Sequence, residues 1–196
     1  MAEWTDEVFA GADWYGRELA GDVFVRCTFS DVDLVEATST GARFEECRFG
    51  NTRLNASRHR DSAFLQCVFE RCSLFDAELD DCKLTGSTFT DCDLRPLTVR
   101  GGDLSFVGLR FADLRGISVT GARMREADLT EADCTGATLA RVDLSAATLD
   151  KAVLARVDLR GSDLAGLDPR AVDLAGAVVH AEQAVQLART LGLDVR

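Results

Sequence analysis

Proline, histidine and tyrosine are scarce, at two, two and one among 196 residues. No apolar run approaches the ~20 residues that a membrane-crossing helix needs, which excludes a helical span. The opening stretch MAEWTDEVFAGADW lacks the basic and apolar regions of a secretory signal, so none is expected. Basic excess is missing too: 22 basic side chains face 33 acidic ones, a formal charge of −11. That excludes the basic footprint of a nucleic-acid binder. Seven cysteines is an odd number, and without an export signal it predicts reduced thiols in a cytoplasm. What is present is a 46% hydrophobic chain, ordinary for a folded core and long enough for one domain or two small ones.

A five-residue period dominates the chain. Every fifth residue from Phe9 to Val179 gives 35 centres, all apolar except Ser39, His59 and Pro169. Neither a helix of period 3.6 nor a simple strand of period 2 produces this. Two residues before each centre the side chain is small or modest, as at Cys27, Val32, Ala37, Ala42 and Cys47. The other three positions are mostly polar. One large and one small residue of each unit therefore point inward, and the chain turns by about a right angle before the next pair. Four units close one square coil of 20 residues.

Units such as "ADLRG" (112–116) and "ADLTE" (127–131) resemble those of the pentapeptide-repeat family. The resemblance covers about residues 7–179 and implies an all-β solenoid, a right-handed quadrilateral β-helix. Eight to nine coils are expected, stacked at the strand spacing of ~4.8 Å. Centres 20 apart form columns that support four sides independently of the family. Phe9, Phe29, Phe49, Phe69 and Phe89 precede Leu109, Leu129 and Leu149; Phe24, Phe44 and Phe64 precede Leu84, Leu104, Met124, Leu144 and Leu164.

Six cysteines (27, 47, 67, 72, 82 and 92) occupy the small inward position and Cys134 is a centre, so they read as small buried hydrophobes. No metal site is expected, because no four ligands converge with suitable spacing. Ser39 and His59 fall on one side in successive coils, as a hydrogen-bonded pair or an outward-turned defect. No nucleophile–base pair, phosphate-binding glycine loop or metal cluster is visible, so neither an enzyme nor a cofactor is expected. Pro96 is expected to bend its coil or take a cis bond, and Pro169 to distort the last coil.

Residues 1–179 are thus assigned to the rod and 180–196 to a C-terminal helix and tail. The stretch AEQAVQLART (181–190) favours helix, and Gly192 suits its stop. Val185, Leu187, Ala188 and Leu191 give it an apolar face. The helix either caps its own rod or pairs with a copy of itself. One short helix leaves much of the coil end uncovered, which favours a homodimer.

Charge is concentrated on the side centred on Trp14, Leu34, Leu94 and Leu114. The residue before each centre reads Asp13, Asp33, Arg53, Ser73, Asp93, Asp113, Asp133, Val153, Asp173, and the neighbouring corner adds Asp31, Asp91 and Glu131. This predicts an acidic ridge, broken at Arg53 and Arg71 and again near Lys151. Single aspartates have a local reason to be there, since they hydrogen-bond turn backbone. As a whole, the ridge suits a protein that binds DNA.

Several stretches resemble the MfpA-type fluoroquinolone-resistance branch: an N-terminal "EW", "SRHRDSAF" (57–64), "FERCSL" (69–74), "CDLRPLT" (92–98), and "EQAV" with "LGL" (182–193). That resemblance implies a non-enzymatic homodimer that mimics DNA, binds and inhibits DNA gyrase, and protects it from fluoroquinolones. The strong N-terminal acidity departs from the branch. The alternatives are an interaction scaffold for another target, or a self-immunity protein against a gyrase-directed toxin.

Overall fold

A computed structural model describes residues 1–196. The chain winds into a four-sided rod in which every strand pairs in parallel with the residues 20 positions away. The first side carries strands Glu3–Thr5, Val23–Val25, Arg43–Glu45 and Ala63–Leu65. The second carries five, from Val8–Ala10 to Thr88–Thr90. The fourth carries seven, from Glu18–Ala20 to Thr138–Ala140, and single bridges at Asp158 and Val178 extend it. The third side, the acidic one, has no strands and is held by isolated bridges.

The corners explain the five-residue period. The residue two after each centre lies in the left-handed region at 33 of the 35 corners from Asp6 to Gly176. A left-handed residue turns the chain sharply and ends each short strand. Only 12 of these corners are glycines; Asp, Glu, Arg and even Phe occupy others. Each such L-residue costs roughly 1–2 kcal/mol, which repeated burial of the centres offsets. The two exceptions are Pro96, whose ring forbids positive φ, and Ala171, two residues after Pro169. At both places the ladder slips by one residue: Asp76 N–H donates to Pro96 O and Lys151 N–H to Ala171 O. The Arg95–Pro96 bond is cis.

Inside, the expected aromatic columns are stacked. Phe24, Phe44 and Phe64 lie with centroids 4.8 Å apart and planes within 3°. Phe29, Phe49, Phe69 and Phe89 repeat at 4.6 Å. The two stacks meet edge to face, as Phe44 and Phe49 do at 5.7 Å, an arrangement the ring quadrupoles favour.

The small inward positions satisfy backbone that the turns leave unpaired. Cys47 Sγ donates to Phe24 O, Thr52 Oγ1 to Phe29 O, and Ser87 Oγ to Phe64 O. Cysteine, serine and threonine are equivalent here because each is a small donor. All seven cysteines are free thiols. Burial lifts Cys82 to about 11 and Cys134 to about 12, so both stay protonated.

The α-helix spans Ala181–Thr190 and stops at Gly192, which adopts φ +86°. It sits on the last coils through Gln183. The Gln183 amide donates to Leu159 O and Ser162 O, both at 2.8 Å, and its oxygen accepts the His180 N–H at 2.7 Å. Leu187 packs on the core, while Val185 and Ala188 are half-buried and Leu191 is exposed. Gln183→Ala strands two coil-end carbonyls and should cost about 2–3 kcal/mol. Urea denaturation checks this; an unchanged midpoint would remove Gln183 as the cap.

Candidate partner-binding surface

On the third side, bridges join Asp13 to Asp33, Asp33 to Arg53, Arg53 to Ser73 and Ser73 to Asp93, then Asp113 to Asp133, Asp133 to Val153 and Val153 to Asp173. The predicted column therefore exists in register. The local role of its aspartates is equally visible. Asp13, Asp33, Asp93, Asp113, Asp133 and Asp173 each accept the backbone N–H of the residue two positions on. The same bond forms at Asp128, Asp143 and Asp158 on other sides. It closes a turn wherever aspartate precedes a centre, whatever the side.

The structure divides the ridge residues into two groups. Asp33 pairs with Arg53 at 2.6 Å, Glu131 with Lys151 at 3.2 Å, and Asp113 with Arg115 at 2.7 Å and Arg95 at 3.0 Å. Asp133 lies 3.8 Å from Arg115. The hydrogen bond from Arg115 holds the Asp113 carboxyl below its usual range. Asp13, Asp31, Asp91, Asp93 and Asp173 have no cation within ion-pair distance. Sequence reading located Arg53 and Lys151 but missed Arg95 and Arg115. They follow the centre, so their side chains lie beside the column rather than in it.

A second feature was not expected. Between the coil of Leu94 and the coil of Leu114 the third-side ladder is open. One coil below, Arg71 N–H reaches Thr90 O and Leu74 N–H reaches Asp93 O; one above, Leu114 N–H reaches Asp133 O. The corresponding bonds from Asp91 N–H to Arg110 O, Leu94 N–H to Asp113 O and Asp113 N–H to Cys92 O are not made. The cause is Pro96, which has no N–H for the next coil and cannot take the left-handed corner. The opening forms a cleft of about 280 Å³ beside Phe89, Asp91, Cys92, Leu94, Phe111 and Asp113.

The buried His59 is not part of this surface. Its Nδ1 lies 2.7 Å from Ser39 Oγ and its Nε2 3.0 Å from Ser57 Oγ, so it forms the hydrogen-bonded alternative of the two foreseen.

Comparison with known proteins agrees with the geometry. The family model for pentapeptide repeats matches residues 60–95, 109–145 and 137–174, more than half of the chain, with eight copies. Its gap between 95 and 109 begins at Pro96. Pentapeptide repeat protein MfpA of Mycobacterium tuberculosis (strain ATCC 25618 / H37Rv) is 37% identical over 109 residues, 56% of this chain. The match spans about half, 51%, of that relative's length. Among solved structures, a trypsin-treated variant of QnrB1, a plasmid-mediated fluoroquinolone resistance protein, superposes with a TM-score of 0.87. It is 22% identical, and the match covers 99% of this chain and 100% of that one. Full-length QnrB1 gives a TM-score of 0.57 at 19% identity, covering 97% and 100%. With its period, corners and coils of 20 residues, the chain belongs to the pentapeptide-repeat family.

Proposed function

We propose that the protein is a DNA mimic that binds and inhibits DNA gyrase and protects it from fluoroquinolones. The observation that carries this reading is the third side: aspartates stand in register on a strandless face, in two ladders that meet at the opening between Asp93 and Asp113. Its rungs repeat every ~4.8 Å, a spacing of the same order as the ~3.4 Å between phosphates along one DNA strand. Like charges at ~5 Å repel by about 0.8 kcal/mol in water, so the unpaired carboxylates favour a basic partner. The 37% identity to MfpA supports the same reading. A homodimer through the C-terminal end belongs to the proposal. Val178, Leu191 and Leu193 leave apolar surface exposed there, next to the half-buried Val185 and Ala188.

A gyrase supercoiling assay, with and without a quinolone, tests the reading. Purified protein at micromolar concentration should inhibit supercoiling and reduce drug-induced cleavage; no effect on either would defeat the proposal. Asp31→Lys with Asp91→Lys should weaken inhibition about tenfold or more, by reversing charge in a complementary interface. Both positions are corners without a turn-closing role, and Arg71 and Lys151 already occupy the same corner column. Unaltered potency would remove this side from the interface.

A further inference from the structure

The opened ladder has the chemistry of a receptor for one kind of side chain. Leu94 is 2% exposed, and its N–H and the facing Asp113 carbonyl make no bond to each other or to any other group of the chain. Buried backbone groups are paired in the great majority of folded proteins, so this break is unusual. A second observation lies on the same rim. Phe111 is held at φ +58° and is 64% exposed. That conformation is the one the repeat imposes at nearly every corner; what marks this rim is an aromatic ring left open to solvent beside the cleft. The Asp91 carboxylate, which lines the cleft, has no cationic partner, whereas Asp113 and Asp128 nearby are paired.

The chain itself shows what such walls accept. The guanidinium of Arg110 lies over the Phe111 ring, 5.3 Å from its centroid. The guanidinium of Arg95 crosses the opening to Asp113 at 3.0 Å. A planar cation with several in-plane donors fits an aromatic ring, carbonyl acceptors and a carboxylate rim. A compact ammonium uses the charge but not the planar contacts.

We infer that the cleft between the Leu94 and Leu114 coils receives an arginine side chain presented by a protein partner. The Phe111 ring stacks on the guanidinium, the Asp91 carboxylate pairs with it, and the unbonded carbonyls of Cys92 and Arg110 accept its remaining N–H groups. The identity of the partner rests on the reading above; the chemistry of the cleft does not. The opening at Pro96 thereby gives the acidic side a fixed docking point.

Titration of the ¹⁵N-labelled full chain with the capped tripeptide acetyl-Gly-Arg-Gly-amide tests this. Shifts should concentrate at the Asp91, Leu94, Phe111 and Asp113 amides. The lysine tripeptide should bind at least about tenfold more weakly, because it lacks the bidentate planar contacts. Pro96→Gly restores a residue able to take the left-handed corner and to donate an N–H. It should close the ladder, slow hydrogen exchange at Leu94 and Asp113, and abolish the shifts. Asp91→Asn, which leaves the backbone alone, should weaken binding about tenfold and serves if the glycine variant folds poorly. Equal binding of lysine, shifts spread evenly along the acidic side, or shifts that survive both substitutions would overturn the inference. Gyrase is absent from this titration, so its failure leaves the supercoiling result standing, and the reverse holds.

Discussion

Gly102→Ala is expected to cost about 2–5 kcal/mol and to disrupt the middle of the rod. The estimate adds overpacking of roughly 1–3 kcal/mol to the left-handed penalty of roughly 1–2 kcal/mol. Gly102 stands at a small inward position with φ +83°. A β-carbon there would lie 2.1 Å from Cys82 O, 2.9 Å from Cys82 N and 3.0 Å from Cys82 C. All three are backbone atoms of the coil below, so no side chain can move aside. That coil is fixed by Asp103 N–H to Cys82 O at 2.9 Å, and Gly102 O accepts from Arg123 N–H at 3.1 Å in the coil above. Relieving the clash means parting the stack, which breaks both ladders. In a solenoid each coil contacts only its neighbours, so a break there uncouples the two halves. Denaturation should therefore lose cooperativity as well as midpoint. Gly41→Ala is the control: φ is +65°, but nothing lies within 4 Å of the added carbon. It should cost only about 1–2 kcal/mol from the backbone conformation. Equal losses in the two variants would show that coil contact is not the reason for glycine at 102.

The period made the sides and the columns legible, because both are direct consequences of residue spacing; the helix at 181–190 was legible from helix-favouring residues where the period stops. Phe29 and Phe49 had to stack once 20 residues made a coil. The corner conformation was less visible, since Arg26, Phe106 and Phe111 take it along with Gly21. Composition does not announce it where the repeat imposes it. The opened ladder was half legible. Pro96 was recognisable as a disturbance, but its effect falls on bonds of Asp91 and Leu94, earlier in the chain and across to the next coil. The acidic ridge was legible as a column of residue types, not as a distribution of charge. Whether an aspartate is free depends on arginines such as Arg95 and Arg115, whose reach is set by side-chain geometry rather than by register.

The buried network at His59 leads to the second large effect. His59 sits in a column with Leu19, Ser39 and Leu79, all enclosed by the rod. Its ring meets Phe64 edge on at 5.2 Å and has hydroxyl partners on both nitrogens. Hydroxyls can serve a neutral ring but do not neutralise a charged one, and burial lowers its pKa from 6.5 to about 4. The unfolded chain therefore binds more protons than the folded one between these values. Stability is complete above pH 6.5 and falls as pH drops toward 4, by about 3 kcal/mol in total. Asp158, lowered to about 2 by its hydrogen bond from Arg160, loses its contribution only below the ordinary carboxylate range, outside most of this window. The double variant Ser39→Leu, His59→Leu continues the leucine column. It leaves no orphan, because Ser57 Oγ still donates to Leu54 O and Ser62 Oγ to Arg60 O. Urea denaturation of both proteins from pH 7.5 to 4.5 separates the histidine from the carboxylates they share. The wild-type curve should fall through this range while the variant stays nearly level; parallel curves would mean that His59 is not held neutral by the fold.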